Sequence, residues 1–216
     1  MISQNLKERF LTSFFLIILI ILFTKYDFFL VYTLIVLGVL SVIEFIDITK
    51  KITANKLYLL ISSLSFVSYI FIFCFLFIFF FKFVQLKILL IILLLVCIAS
   101  DIGGYIFGKI FKGPKLSKIS PNKTVAGAIG SLLLSSLVIL LLFYFINEKL
   151  NYLTIVVAMI TSIFCQLGDL FFSFLKRKAN LKNTGNFLPG HGGVLDRLDS
   201  ILLGIPTGLY SFIIFF

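Results

Sequence analysis

Residues 57–81 read "LYLLISSLSFVSYIFIFCFLFIFFF", 25 residues without a charge, a proline or a glycine. As a helix this stretch extends about 37 Å, against a bilayer hydrocarbon core about 30 Å thick. A surface helix of a water-soluble domain needs a polar face. Here serines and tyrosines are the only polar side chains, and phenylalanine fills every side of the second half. The stretch therefore predicts a transmembrane helix. The rest of the chain agrees. Of its 216 residues, 61% are hydrophobic and 13% charged, too little polar surface to cover a soluble domain.

Apolar runs predict seven spans, near 10–24, 28–45, 57–81, 88–108, 125–147, 152–174 and 198–216, within a range of six to nine. The expected fold class is all-α, a polytopic integral membrane helix bundle. Residues 1–90 supply N-terminal transmembrane helices. Residues 91–216 form a C-terminal catalytic transmembrane region with the long polar loops, as one structural unit. The opening "MISQNLKERFLTSFFLIILIILF" has a basic start and an apolar run but no small-residue cleavage site, so it reads as a retained anchor. Cys74, Cys97 and Cys165 lie inside apolar runs and read as small buried hydrophobes.

The formal charge is +10, from 19 Lys and Arg against 9 Asp and Glu. With seven spans and a cytoplasmic N-terminus, 15 of those 19 cations face the cytoplasm. The other 4 are Lys25, Lys82, Lys87 and Lys149. That asymmetry is the positive-inside pattern, so the basic balance reads as membrane orientation and not as nucleic-acid binding. Loops 109–124 and 175–197 then both meet the cytoplasm.

Six aspartates are present. Asp27 and Asp47 read as solvated loop residues. Asp101 and Asp169 follow long apolar runs, where a carboxylate is costly unless paired, hydrated or bound to a cation. Asp196 and Asp199 are three apart, which places them on one helical face at the start of the last span. Capping of a helix N-terminus by two acids and binding of a divalent cation both fit that spacing. Cations and amides lie nearby in sequence. "FLKRKANLK" (174–182) carries four cations, "SPNKT" (120–124) precedes a small-residue helix, and "GNFLPGHGG" (185–193) is glycine-rich. Such segments suit phosphate groups, and with carboxylates for a metal they point to phosphoryl or nucleotidyl transfer. The G-x-x-x-x-G-K match from Gly103 to Lys109 is discounted, because Ile110 stands where a phosphate-binding loop needs Ser or Thr. The lone His191 has no Cys or His companion for zinc.

"SFLKRKANLKNTGNFLPGHGGVLDRLDS" (173–200) resembles the signature of the phosphatidate cytidylyltransferase family, S-x-x-K-R followed by K-D and P-x-H-G-G-x-x-D-R-x-D. "QLGDLF" (166–171), "SPNKTVAG" (120–127) and "DIGGYIFGKIFKGPKLSKIS" (101–120) resemble further family segments, so the likeness covers roughly 95–210. It implies transfer of CMP from CTP to phosphatidic acid, giving CDP-diacylglycerol and pyrophosphate. It implies Mg²⁺, with room for a second cation, at Asp169, Asp196 and Asp199, and a catalytic role for Lys176 beside Asp169 and Asp196. Substrate binding is carried over to Asp101, Ser120, Lys123, Thr124, Arg177, Lys182, His191, Gly192, Gly193 and Arg197. The implied partners are CTP, phosphatidic acid and membrane lipids, with no nucleic acid; a homodimer is compatible but not required. The implied location is a bacterial inner membrane, with the active site facing the cytoplasm. Three acids usual in the family are absent: Phe172, Ala126 and Asn183 stand in their places, and a degenerate, low-activity homologue of the enzyme is one alternative reading. The competing reading from Asp101 and Asp169 alone is an ion- or proton-coupled transporter. Its symmetric halves with broken helices are not what this lopsided distribution of polar loops suggests.

Overall fold

The computed structural model describes residues 26–117, 120, 123–146, 151–185, 187 and 192–216. Six helices account for most of them: α1 (Asp27–Ile52), α2 (Lys56–Phe81), α3 (Val84–Phe111), α4 (Val125–Phe145), α5 (Tyr152–Lys178) and α6 (Leu195–Phe215). All six are long and apolar enough to cross a membrane. The chain is an α-helical membrane protein, and the described residues hold no strand, only isolated bridge residues such as Lys115 paired antiparallel with Thr124. The expected span at 10–24 lies outside the described residues.

Short polar signals set the helix ends. The Asn55 side-chain oxygen accepts from Leu57 N at 3.0 Å and caps α2. Thr124 caps α4 by accepting from Gly127 N at 3.1 Å. At the end of α3, Lys112 and Gly113 take positive φ values of 51° and 92° and turn the chain out of the helix. The end of α5 is a Schellman turn. Asn180 adopts φ 55°, Leu181 N donates to Lys176 O at 2.8 Å, and Asn180 N donates to Arg177 O at 3.1 Å.

One expectation needs correcting. Asp47 was expected in a short loop after a span ending near 45. Instead α1 continues to Ile52, and Asp47 lies exposed on it, 3.7 Å from Lys50. Lys50 and Lys51 in the final turn complement the helix dipole, so polar residues extend the helix rather than ending it.

The chain forms two compact units. The first comprises residues up to Phe79 together with Leu175–Arg197. Within it α1 meets α2 where Gly38 leaves no room: a Cβ there would stand 3.1 Å from Ile70 Cγ2. Phe45 stacks on Phe66 with ring centroids 4.0 Å apart.

The second unit comprises Phe80–Phe174 and Leu198–Phe216. Its α3 and α4 are joined by a seam of small residues. A Cβ on Gly103 would meet the Gly130 carbonyl at 2.5 Å, and one on Gly127 would meet the Gly104 carbonyl at 2.7 Å. Ser131 Oγ donates to Ser100 O at 2.7 Å, and Ser100 Oγ lies 2.8 Å from Ser162 Oγ on α5. Gly168 on α5 similarly lies against the carbonyl of Asp199 on α6. Gly103 and Gly108, the glycines of the G-x-x-x-x-G-K match, are thus packing residues on a continuous helix.

A side chain at the seam has no space to relax into. Gly103→Val is expected to destabilise the protein by about 1–3 kcal/mol, the usual penalty for overpacking. The thermal unfolding midpoint of the purified protein in detergent checks this, and an unchanged midpoint contradicts close contact at Gly103.

Candidate active site

Asp196 is the second residue of α6, and Thr184 and Gly193 from the preceding connection lie against it. In the first unit, Lys176 Nζ lies 2.6 Å from Asp196 Oδ1, with the two side chains only 13% and 11% exposed. The other oxygen, Oδ2, accepts from Thr184 N at 2.9 Å and Gly193 N at 3.2 Å. One carboxylate oxygen is therefore held by a lysine in the last turn of α5, and the other by chain that the Schellman turn has redirected. Gly192 has φ 87°, a conformation that favours glycine, and a Cβ there would come within 3.1 Å of Asp196 Oδ2. Arg177, Lys182, Asn183 and Arg197 are exposed around this core. His191 lies outside the described residues.

A carboxylate that the sequence reading passed over belongs to the same unit. Glu44 on α1 is 2% exposed. Its Oε1 accepts from Val194 N at 2.9 Å, and its Oε2 accepts from Leu195 N at 2.9 Å and from Thr184 Oγ1 at 2.7 Å. The available signal was "SVIEFI": a lone acid inside a predicted span, of the kind that is costly unless partnered.

In the second unit, Lys123 Nζ lies 2.5 Å from Asp169 Oδ2, with side chains 24% and 33% exposed. Ser173 Oγ donates to Asp169 Oδ1 at 3.3 Å. The loop before α4 sets Lys123: Leu116 N donates to its carbonyl at 2.8 Å, and its own N–H donates to Ser120 O at 3.0 Å. Thr124 follows as the α4 cap. Asp101 on α3 accepts from Ser200 Oγ at 2.9 Å. Asp199 is 7% exposed, and its Oδ1 accepts from Ser200 N at 2.9 Å. Phe172, in place of a family acid, is buried.

The structure thus brings Lys176 to Asp196, Lys123 to Asp169, and Ser200 to Asp101. Among the described residues no three His, Cys, Asp or Glu side chains gather into a ready-made metal cage. The donors nonetheless fit Mg²⁺, a hard cation that commonly takes one or two carboxylates and completes its shell with water and substrate phosphate oxygens. Asp169 in particular is one-third exposed and reachable by such a ligand.

A largely buried lysine–carboxylate pair in a membrane protein is compatible with more than one chemistry, and comparison with known proteins narrows it. The chain matches the cytidylyltransferase family over residues 1–216 and belongs to that family. Within it, the chain is similar to the phosphatidate cytidylyltransferase of Staphylococcus haemolyticus (strain JCSC1435), 47% identical over 109 residues, and to that of Staphylococcus aureus (strain COL), 46% identical over 109 residues. Each alignment covers 50% of this chain and 42% of the relative, so the match spans less than half the length of those proteins.

The two ion pairs differ in burial, and removing a partner should cost accordingly. Asp196→Asn removes the negative charge facing a nearly buried Lys176 and is expected to lower stability by about 2–3 kcal/mol. Asp169→Asn, in the more exposed pair, is expected to cost about 1 kcal/mol or less. Thermal unfolding of both variants in detergent measures the order, and a larger loss for Asp169→Asn contradicts it.

Proposed function

We propose that this protein transfers CMP from CTP to phosphatidic acid, releasing pyrophosphate and forming CDP-diacylglycerol at the cytoplasmic face of a bacterial inner membrane. The observation that carries this reading is the Lys176–Asp196 pair, held inside the segment whose sequence resembles the phosphatidate cytidylyltransferase signature. The names of the relatives support the same substrates.

An oxygen of the lipid phosphate attacks the α-phosphorus of CTP, the bond to the β-phosphate oxygen breaks, and pyrophosphate leaves. The nucleophile is already anionic, so no general base is required, and positioning and charge stabilisation dominate. Lys176 and Lys123 supply cations at the ends of α5 and of the loop before α4, while Arg177, Lys182 and Arg197 are exposed to meet phosphate groups. His191, Gly192 and Gly193 are assigned to substrate binding through the resemblance. Carboxylates drawn from Asp169, Asp196 and Asp199 would hold Mg²⁺, which when bound neutralises the triphosphate and the departing pyrophosphate. Asp101 and Ser120 are assigned to substrate binding on the same basis. The three missing family acids leave these aspartates in place.

Purified protein in mixed micelles with phosphatidic acid and CTP is expected to release pyrophosphate only when Mg²⁺ is present, and chelation with EDTA should abolish the release. Asp196→Ala and Lys176→Met should each lower turnover by at least about 100-fold, the scale for removing a positioned charge. Equal pyrophosphate release by wild type and Asp196→Ala contradicts the assignment.

A further inference from the structure

We infer that Glu44 is a positioning residue for the Asp196 site, acting from α1 through the segment 184–195; this rests on the functional reading above. The first turn of α6 begins after Val194, whose side chain has no oxygen to cap the helix. Val194 and Leu195 therefore present backbone N–H groups that their own segment does not satisfy. Glu44 meets both, one on each oxygen, from a residue 150 positions earlier in the chain. The positive end of the helix dipole favours an acid there.

The geometry reaches Asp196 through Thr184. The Thr184 hydroxyl donates to Glu44 Oε2, while its backbone N–H donates to Asp196 Oδ2. Gly193, whose N–H also holds Asp196 Oδ2, lies so close to Glu44 that a Cβ would come within 2.7 Å of Oε1. Gly185 is equally constrained, since a Cβ there would stand 2.6 Å from Oε1. Glu44 thus fixes the backbone on both sides of the loop, at 184–185 and at 193–195. Those two ends carry both backbone donors that orient Asp196, and Asp196 in turn receives Lys176. The hydrogen bonds of Glu44 go to Thr184, Val194 and Leu195, so its effect on Asp196 is transmitted by the loop.

Glu44→Gln preserves shape but turns one acceptor into a donor facing a donor. With the full-length chain in lipid nanodiscs, hydrogen exchange at 183–197 is expected to speed up at least tenfold in Glu44→Gln. The kcat should fall 10- to 100-fold with KM for CTP changed less than threefold, the scale seen when a supporting partner of a site residue is lost. Thr184→Val, which removes only the hydroxyl, should shift both readouts in the same direction by a smaller factor, and it serves if Glu44→Gln does not fold. Unchanged exchange at 183–197 in a folded variant overturns the inference. So does a lowered unfolding midpoint with kcat per folded molecule unchanged, which would make Glu44 a scaffold residue only. If the wild type makes no lipid product, the functional reading fails, and hydrogen exchange alone then decides whether Glu44 holds the loop.

Discussion

A polar group taken out of water must find a partner inside the protein or raise the free energy of the fold by several kcal/mol. In a chain that is 61% hydrophobic, that constraint decides where its few acids can stand. Glu44 satisfies it with three donors, two of them backbone groups at the start of α6. Asp196 satisfies it with two backbone N–H groups and a lysine. Because the same short segment, 184–195, serves both carboxylates, the loop is tied down at both ends by groups that have nowhere else to go. The Schellman turn at Asn180 completes the arrangement by aiming the chain from α5 into that loop.

The second unit answers a different requirement. Helices surrounded by lipid gain little from burying leucine against leucine, so close backbone approach and interhelical hydrogen bonds matter more. Gly103, Gly104, Gly127 and Gly130 bring α3 and α4 together, and the serines at 100, 131 and 162 bond across helices. This seam leads directly to Thr124 and Lys123 at the top of α4. Packing glycines and candidate site residues therefore lie close together along this stretch, and the glycines of the G-x-x-x-x-G-K pattern serve helix packing.

Much of this was legible beforehand. The uncharged run at 57–81 and its counterparts from 88 onward marked five spans to within four residues at each end, because length and the absence of charge are sufficient signals, whereas the expected span 28–45 fell seven residues short of the end of α1. The Thr124 cap and the start of α6 near Asp196 followed from local chemistry. Three features were not legible. Asp47 continues α1 because basic residues in the last turn suit the helix end, a local compensation that a hydropathy pattern ignores. The pairing of Lys123 with Asp169 joins residues 46 positions apart, and spacing along the chain carries no information about it. Glu44 was overlooked because its partners lie 140 to 151 positions away and two of the three are backbone N–H groups, which look alike in every sequence.

Lysine–carboxylate pairs, exposed arginines and carboxylates able to take a divalent cation all suit a reaction in which phosphate charges are brought together and redistributed. Nucleotidyl transfer has a signature distinct from phosphoryl transfer or transport: the α-phosphorus of CTP ends in the lipid. The most direct measurement follows labelled CTP through chloroform extraction after incubation with phosphatidic acid and Mg²⁺. Label from α-³²P-CTP should enter the lipid phase, while label from γ-³²P-CTP should stay in the aqueous phase as pyrophosphate. Label from γ-³²P-CTP in the lipid, or no label in the lipid from either nucleotide, would contradict the assignment.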